Sequence, residues 1–357
     1  MAAATHDRRG ARYFVDSPRT DAPGERSSRA RDPATDAESL GVLALPDVVT
    51  GCRGGGGDRA TIHESPLRRL LRREVPSLAE LPLRHAAGGW DNDIWRLGDD
   101  LALRLTRRAV AAELHVHEQT WLPIVASRLP IPVPTPVFIG GSSPDYPLPW
   151  SVVPWYEGDV AAVTPPVPGE ARTLGRFMAA LHTSAPDGAP HNPVRGVPLV
   201  LRRQAVWASN RHEWAAGDRM LTAAATRVFD AGVAVSPARD RVWLHGDLHS
   251  RNILINRGRL AAVLDWGDMT AGDAATNLAA VWWLFDLAEH SEFWEAYRQI
   301  PAATWHRARA WAGLFGLSFL TFALPGVPNT PDLKAHKLAR QLLERVVAEQ
   351  RSFGNDP

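Results

Sequence analysis

All 14 tryptophans of this 357-residue chain lie at or after Trp90, so the N-terminal region lacks the tryptophans around which a core could form. Residues 1–62 combine Arg, Asp, Ser and Pro with a run of four glycines, Gly54–Gly57. A segment of this kind buries too little apolar surface to offset the entropy of ordering its backbone. We predict a disordered N-terminal extension over residues 1–62 and a folded region after it.

The composition excludes several kinds of chemistry. The 40 basic and 39 acidic side chains give a net charge of +1, which is typical of a globular protein and favours no nucleic-acid partner. Only Lys334 and Lys337 among the basic residues are lysines, and neither follows a glycine. A phosphate-binding loop of the type G-x-x-x-x-G-K-[ST] is therefore excluded, and any phosphate must be bound by arginine.

The cysteine count and the apolar runs indicate in which compartment of the cell the protein is expected. The single cysteine, Cys52, excludes disulfide frameworks and zinc ribbons and fits a reducing compartment. The segment after Met1 lacks the apolar run of a secretory signal. The longest apolar stretch, Trp311–Leu324, is shorter than the roughly 20 residues that a membrane helix needs. We therefore expect a cytoplasmic protein without membrane contact.

Alternating apolar residues predict a β-hairpin at the start of the folded region. Trp90–Leu97 and Leu101–Leu105 have the pattern of strands, and Gly98–Asp100 has the composition of the turn between them. Because side chains alternate along a strand, the three leucines of the second strand share one face and Arg104 lies on the other.

A helix, a connection and another strand follow the hairpin, over Ala109–Leu122, the proline-rich Leu129–Pro149 and Trp150–Trp155. We predict that residues 63–157 form a small β-rich N-lobe. The remaining sequence is mainly helical, with helices over Ala171–His182 and Arg219–Phe229 and a compact β insert built from Val242–Leu244, Ile253–Ile255 and Leu260–Leu264. The predicted fold class is α+β, with a larger helical C-lobe over residues 158–350.

The polar residues with chemical potential flank the strands of this insert. Asp247 follows one strand, Asn252 comes five residues later, and Asp265 ends the next hairpin. Phosphoryl transfer needs a carboxylate that orients the attacking hydroxyl, and oxygen ligands that hold Mg²⁺ on the phosphates. Asp247 suits the first role, and Asn252 and Asp265 suit the second. Each residue alone could simply cap a turn, but the ordered set is more specific.

Other residues near this set have weaker interpretations. His245 is expected to orient the loop by hydrogen bonding rather than to transfer a proton. Asp247-Leu-His249 is similar to a fragment of a metallophosphoesterase site, although the other parts of such a site are missing. Asp268 either caps a turn or faces a substrate, and Trp282 and Trp283 are expected to pack in the core.

These segments resemble the aminoglycoside phosphotransferase family, which has the two-lobed protein-kinase-like fold. The similar segments are the catalytic-loop-like His245–Asn252, the metal-segment-like Leu264–Asp268, the helix start Gly272–Ala279, the turn Gly88–Asn92 and the hinge-like Trp150–Gly158. The resemblance implies transfer of the γ-phosphate of Mg·ATP, with Asp247 and His245 as catalytic residues. It also implies that Asn252 and Asp265 bind Mg²⁺.

The resemblance also implies how ATP is bound between the lobes. Gly88 and Gly89 would let the main chain approach the phosphates, and main-chain groups around Val153 and Trp155 would meet the adenine. Arg104 stands where a V-A-I-K strand has lysine, and Glu118 is the expected partner for it, with Glu113 as the second choice.

Two functions remain open at this point. The first is an ATP-dependent phosphotransferase that acts on a hydroxyl of a small molecule, such as an aminoglycoside-like antibiotic, a sugar or an amino alcohol. The second is a catalytically impaired, nucleotide-binding scaffold, because Arg104 and Asn277 replace the usual lysine and aspartate. Residues 270–330 contain no acidic cluster that would favour a polycationic acceptor, and the oligomeric state stays open.

Overall fold

A computed structural model describes residues 62–89, 91–202, 219–322 and 333–349, all within one compact unit that spans residues 49–357. The predicted N-terminal extension, apart from its last residue, and its glycine run lie outside the described residues. The described helices are α1 (Glu64–Glu74), α2 (Ala112–Ala126), α3 (Glu170–Leu181), α4 (Arg219–Val233), α5 (Ala275–Leu278), α6 (Ala280–Leu284), α7 (His290–Tyr297), α8 (Ala302–Phe322) and α9 (Leu333–Ala348). The described strands are β1 (Leu83–Gly88), β2 (Asn92–Leu97), β3 (Leu101–Thr106), β4 (Phe138–Gly140), β5 (Trp150–Pro154), β6 (Asp159–Val160), β7 (Val242–Leu244), β8 (Ile253–Asn256), β9 (Arg259–Val263) and β10 (Thr270–Gly272).

The first part of the fold is an antiparallel sheet with the order β1-β2-β3-β5-β4. The predicted hairpin is confirmed, since β2 and β3 pair with Leu97 opposite Leu101. Strand β4 was not predicted and lies within the proline-rich connection, at an edge of the sheet where proline is tolerated. Leucines from β3 and from the apolar face of α1 pack together on one side of the sheet, which leaves Arg104 on the other.

Helix α2 lies on that other side, and its buried face is mixed. The helix starts after a 3-10 turn and runs four residues beyond the predicted end. Leu122 and Val125 are buried in the apolar core, and His115, Glu118 and Gln119 are also buried. The polar part of this face meets main-chain and charged groups of the sheet: the Gln119 amide donates to the carbonyl of Trp150 (2.8 Å).

The second part contains helices α3 to α9 and two small sheets. Strand β7 pairs with β10 rather than with β8, while β6, β8 and β9 form a separate sheet. The prediction of one compact β insert is therefore wrong. The segment between β7 and β8 instead starts in one sheet and ends in the other, which places Asp247 at the junction of the two.

Buried tryptophans dominate the core of the second part. Trp266, Trp282, Trp305 and Trp311 are at most 1% exposed, and Trp283 is 5% exposed, so core packing of the pair at 282 and 283 is confirmed.

No helix in the described ranges is long and apolar enough to cross a membrane.

Candidate active site

The site begins where β7 ends, at His245. This side chain is fully buried, and burial lowers the pKa of its imidazole to about 4, so the ring is neutral near pH 7. Its Nε2 donates to the carbonyl of Leu264 (2.8 Å), and its Nδ1 accepts from the N–H of Asp247 (3.2 Å). The imidazole thus ties the loop that carries Asp247 to the loop that carries Asp265, and both ring nitrogens are used by main-chain groups.

Gly246 allows the loop to approach a neighbouring segment closely. Its φ is +88°, and a Cβ at this position would collide with the carbonyl oxygen of Asp268, so only glycine fits. The N–H of Gly246 donates to Oδ1 of the buried Asn277 (3.2 Å). The amide at position 277 therefore accepts a main-chain hydrogen bond from the loop, which an aspartate could also do with charge assistance.

Asp247 has a nitrogen-bearing side chain beside each carboxylate oxygen. Oδ1 accepts from Nη2 of Arg195 (2.6 Å), and Oδ2 lies 3.3 Å from Nε2 of His249. Burial alone would raise the pKa of Asp247, but the Arg195 guanidinium and His249 hold that pKa well below its ordinary value. The carboxylate is therefore ionised near pH 7. Its side chain is 26% exposed, so a ligand can still reach it.

Arg195 lies in a loop at residues 191–198, after α3, which the sequence analysis did not single out. Asn192 organises this loop, because its Oδ1 accepts from the N–H groups of Val194 (2.9 Å) and Arg195 (3.1 Å). The amide nitrogen of Asn192 donates to Oδ1 of Asp268 (2.7 Å), and Nε of Arg195 lies 3.8 Å from Oδ2 of the same carboxylate. We call Arg195, Asp247 and Asp268 the outer cluster.

Nothing local in the sequence pairs Arg195 with these two carboxylates, which follow it by more than 50 residues. The only local signal is the Asn-Pro pair at residues 192 and 193, which indicates a turn. Asp268 was expected either to cap a turn or to face substrate, and the structure places it in the outer cluster. Burial raises the pKa of Asp268 to about 6, against the opposing charge of Arg195.

Arg104 stands at the centre of a second cluster, between β3, α2 and the loop after β9. Its Nη1 forms an ion pair with Glu118, and its Nη2 lies 3.0 Å from Oδ1 of Asp265. Glu118 is 1% exposed, whereas Glu113, the second choice for this pairing, is 81% exposed. We call Arg104, Glu118 and Asp265 the inner cluster. Burial raises the pKa of Glu118 and the Arg104 charge opposes the shift, so the ionised form of Glu118 depends on Arg104.

Asn252 and Asp265 provide a donor set that fits Mg²⁺. The N–H of Leu264 donates to the carbonyl of Asn252 (2.8 Å), which brings the two segments together. The Asn252 amide nitrogen donates to the carbonyl of Asp247 (2.9 Å), so its Oδ1 is the atom suited to a cation. The Asp265 side chain is 55% exposed. Mg²⁺ commonly takes one or two protein oxygens and completes its shell with phosphate and water. The described ranges contain no metal-type cluster of three or more His, Cys, Asp or Glu.

The two glycines predicted to lie near the phosphates are at the end of β1. The N–H of Gly89 donates to the carbonyl of Asn92 (2.8 Å), and Nη1 of Arg107 donates to the carbonyl of Gly89 (2.9 Å). A Cβ on Gly88 would lie 3.2 Å from the same Arg107 nitrogen, which is a tight contact. Gly88 is therefore the last residue of β1, and Gly89 follows it beside Arg107.

The register of β5 fixes the direction of the predicted hinge groups. Val153 lies opposite Ala102, and the N–H of Trp155 donates to the carbonyl of Asp100 (2.8 Å), so both residues hydrogen-bond toward β3. Because hydrogen-bonding direction alternates along a strand, the carbonyl of the intervening Pro154 points away from β3. The main-chain groups of Val153 and Trp155, predicted to meet adenine, are thus engaged in the sheet, and their neighbours are better placed.

Three comparisons relate the chain to known proteins. A family model described as APH, phosphotransferase enzyme family, matches residues 82–311. A comparison with curated protein sequences gives no significant match. Among solved structures, the GDP complex of an aminoglycoside 2'-phosphotransferase matches with a TM-score of 0.60 and 16% identity over 80% of this chain and 99% of that one.

Two further structures match over a similar length. A spectinomycin phosphotransferase in complex with ADP and spectinomycin gives a TM-score of 0.60 at 12% identity, covering 81% of this chain and 99% of that one. A macrolide 2'-phosphotransferase from Brachybacterium faecium gives 0.50 at 22% identity, covering 80% and 99%. At these identities the likeness concerns the fold, and it confirms the predicted α+β, two-lobed, protein-kinase-like architecture.

Proposed function

The chain belongs to the phosphotransferase enzyme family, and from this premise we propose that it transfers the γ-phosphate of Mg·ATP to a hydroxyl group of a small molecule. The observation that carries the proposal is the convergence of Asp247, Asn252 and Asp265 at one junction between two sheets. His245 joins two of these segments through main-chain hydrogen bonds, and Asn252 is bonded to both of them. Three oxygen-bearing side chains held in this way match the parts that phosphoryl transfer requires.

Asp247 is the residue that orients the acceptor hydroxyl. Its carboxylate is ionised, partly exposed and fixed by contacts with Arg195 and His249, so a hydroxyl that donates to it is held in one direction. A low pKa suits this role, because in a loose transition state positioning matters more than early proton removal. As the bond from the acceptor oxygen to the γ-phosphorus forms, the bond from that phosphorus to the bridging oxygen of ADP breaks, and the hydroxyl proton passes to Asp247. His245, with both ring nitrogens used by the main chain, supports this residue as a positioning group.

Asn252 and Asp265 hold the metal ion in this proposal. When bound, Mg²⁺ neutralises charge on the nucleotide phosphates and aligns them for in-line displacement. The half-exposed carboxylate of Asp265 and the amide oxygen of Asn252 are the donors, and the ion pair to Arg104 limits the positions that Asp265 can take.

The nucleotide lies between the lobes, with residues 63–157 as the nucleotide-binding lobe and residues 158–350 as the lobe that carries the catalytic loop, the metal ligands and the acceptor site. The turn at Gly88 and Gly89 covers the phosphates. Next to the adenine, beside Val153 and Trp155, the Pro154 carbonyl and the Tyr156 N–H supply the hydrogen bonds. Arg104, oriented by Glu118, presents its guanidinium on the phosphate side.

The competing hypothesis of an impaired scaffold rested on Arg104 and Asn277. Arg104 makes the helix-glutamate pair that a lysine would make, and Asn277 accepts the loop hydrogen bond that an aspartate would accept. Arg104 and Asn277 thus each keep the contact that the usual lysine or aspartate is expected to make. This favours the hypothesis of an active phosphotransferase over that of a scaffold.

Calorimetric titration tests the metal and nucleotide assignment. We expect Asp265→Ala to lose most of the Mg²⁺-dependent gain in ATP affinity, while Asp286→Ala, which alters an exposed carboxylate paired with Arg345, behaves like the parent. Because one similar structure holds GDP and another ADP, the titration is run with ATP and with GTP. Undiminished Mg·ATP affinity in a folded Asp265→Ala protein would contradict the assignment.

A further inference from the structure

The loop that carries Arg195 is organised by one buried side chain, Asn192. We propose that Asn192 is a positioning residue for phosphoryl transfer, which acts through Arg195 on the orientation of the Asp247 carboxylate. This inference rests on the proposed function, because Asp247 is the residue that orients the acceptor hydroxyl there. Neither Asn192 nor Arg195 needs to touch the reacting atoms for this role.

Asn192 is 5% exposed, and its main-chain N–H, side-chain oxygen and side-chain nitrogen all have partners. The side-chain oxygen accepts from the N–H groups of Val194 (2.9 Å) and Arg195 (3.1 Å), so it holds the main chain of Arg195 directly. The side-chain nitrogen donates to Oδ1 of Asp268 (2.7 Å), and the other oxygen of that carboxylate lies 3.8 Å from Nε of Arg195. Asn192 thus holds Arg195 at its main chain and also holds a carboxylate that faces the guanidinium.

The loop is also attached to β10 on both sides of Arg195. The main-chain N–H of Asn192 donates to Oγ1 of the fully buried Thr270 (3.1 Å), and this hydroxyl donates to the carbonyl of Pro190 (2.8 Å). Farther along the loop, Gly196 has a φ of +66°, and a Cβ on Gly272 would collide with its main chain. Strand β10 pairs with β7, which precedes the loop of the catalytic carboxylate. The two loops are therefore fixed to the same pair of strands.

Arg195 connects this fixed loop to Asp247. Its Nη2 donates to Oδ1 of Asp247 (2.6 Å), and its guanidinium lies over the ring of Phe315, 5.2 Å from the centroid. His249, 3.3 Å from the other oxygen, belongs to the same loop as Asp247, so Arg195 is the contact that ties the carboxylate to a separate segment. A charge-assisted hydrogen bond restricts rotation of the carboxylate, and a misdirected carboxylate would hold the attacking hydroxyl in the wrong direction.

The test is a double-mutant cycle on Mg·ATP hydrolysis by the full-length protein, with water as the acceptor, using Asn192→Ala, Arg195→Gln and the double variant. We expect Arg195→Gln to lower kcat by about 10- to 100-fold, the size of one charge-assisted hydrogen bond, and Asn192→Ala to lower it by about tenfold. Because Asn192 acts through Arg195, the double variant should match Arg195→Gln to within about twofold. The KM for Mg·ATP should stay within about twofold of the parent value, since neither residue is assigned to the nucleotide.

Further variants separate positioning from folding. Arg195→Lys should recover part of the loss in kcat, because an ammonium can still pair with the carboxylate but lacks the planar fork of the guanidinium. Asn256→Ala, at the exposed end of β8, and Arg259→Gln, at an arginine that is 80% exposed on β9, should hydrolyse Mg·ATP like the parent. Urea unfolding establishes which variants fold. Asn192→Asp keeps an oxygen for the loop N–H groups but loses the donor to Asp268, and it replaces Asn192→Ala in the cycle if the alanine variant is unfolded.

A folded Asn192 variant with the kcat of the parent would show that this residue only stabilises the loop, and it would overturn the inference. So would losses that multiply in the double variant, or a loss that appears in KM rather than in kcat. In an active parent, these outcomes contradict the inference and leave the proposed function standing. A parent without Mg·ATP hydrolysis would contradict the proposed function, and the inference with it.

Discussion

The inner and outer clusters have the same composition, one arginine between two carboxylates, but they differ in their exposure to water. In the inner cluster Arg104 is 7% exposed and Glu118 is 1% exposed. In the outer cluster Arg195, Asp247 and Asp268 are 19%, 26% and 27% exposed. The inner pair therefore has little water to replace a lost partner, whereas the outer cluster can exchange its contacts for water or a ligand. The same set of side chains therefore stabilises the structure in the inner cluster and is available to bind a ligand in the outer cluster.

Asp265 links this contrast to function, because it is the accessible member of the inner cluster, at 55% exposure. Its partner Arg104 also forms a buried ion pair with Glu118. The position of Asp265, the proposed metal ligand, therefore depends on the Arg104–Glu118 pair in the other lobe. Changes at the buried Arg104 and Glu118 should thus affect folding stability first, and changes in the outer cluster should affect activity first.

The largest stability effect is expected for Glu118→Ala. Removing this carboxylate leaves the buried Arg104 with Asp265 as its remaining partner, and breaking a buried pair costs about 3–5 kcal/mol. Urea unfolding of the variant and of Glu113→Ala measures the difference. The Glu113 variant, altered at an exposed position on the same helix, should unfold like the parent, and equal stability of both variants would refute the bracing role of Glu118.

A pH-dependent loss of stability is expected from His115, which lies beside Arg104. Burial, and then the Arg104 charge, lower the pKa of His115 to about 3. The neutral ring is therefore favoured in the folded state. The folded state therefore carries no penalty from His115 above the unfolded pKa of about 6.5, and it loses stability as the pH falls from there toward 3. At pH 5 the loss of unfolding free energy is roughly 2 kcal/mol.

His115→Gln should accordingly have a flatter stability profile between pH 7 and pH 4 than the parent, measured by urea unfolding at several pH values. A parallel profile for parent and variant would show that His115 is not held neutral by its surroundings.

The smallest stability effect is expected for Asp268→Asn in the outer cluster. An amide keeps an oxygen that can accept from Asn192, and the ion pair with Arg195 is long and partly exposed, so the change in unfolding free energy should stay below about 1 kcal/mol. A loss as large as that of Glu118→Ala would remove the proposed contrast between the clusters.

The sequence alone predicted the placement of site residues where the local strand or helix pattern and the chemistry of the side chains pointed to the same arrangement. Alternation along β3 placed Arg104 opposite the leucines, and the expected partner Glu118, rather than the exposed Glu113, pairs with it. The burial of His115, Glu118 and Gln119 on α2 could not be predicted from apolar periodicity, because these side chains are polar. The pairing of β7 with β10 joins residues that lie at least 26 positions apart, for example Leu244 and Thr270, and no local turn specifies it.

Arg195 was missed for a related reason. It precedes Asp247 by 52 residues, and its loop has no regular pattern beyond the turn residues at 192 and 193. Nothing in the local sequence distinguishes it from the other 37 arginines, and only the fold shows that its guanidinium contacts the proposed catalytic carboxylate.

The central claim is that Asp247 serves phosphoryl transfer from Mg·ATP, and the most direct measurement is the rate of phosphate release from Mg·ATP, with water as the acceptor, by the parent and by Asp247→Asn. We predict slow hydrolysis by the parent and a loss of at least about 100-fold in the variant, with ATP affinity unchanged, since the carboxylate orients the nucleophile rather than the nucleotide. Equal rates in parent and variant would contradict the account.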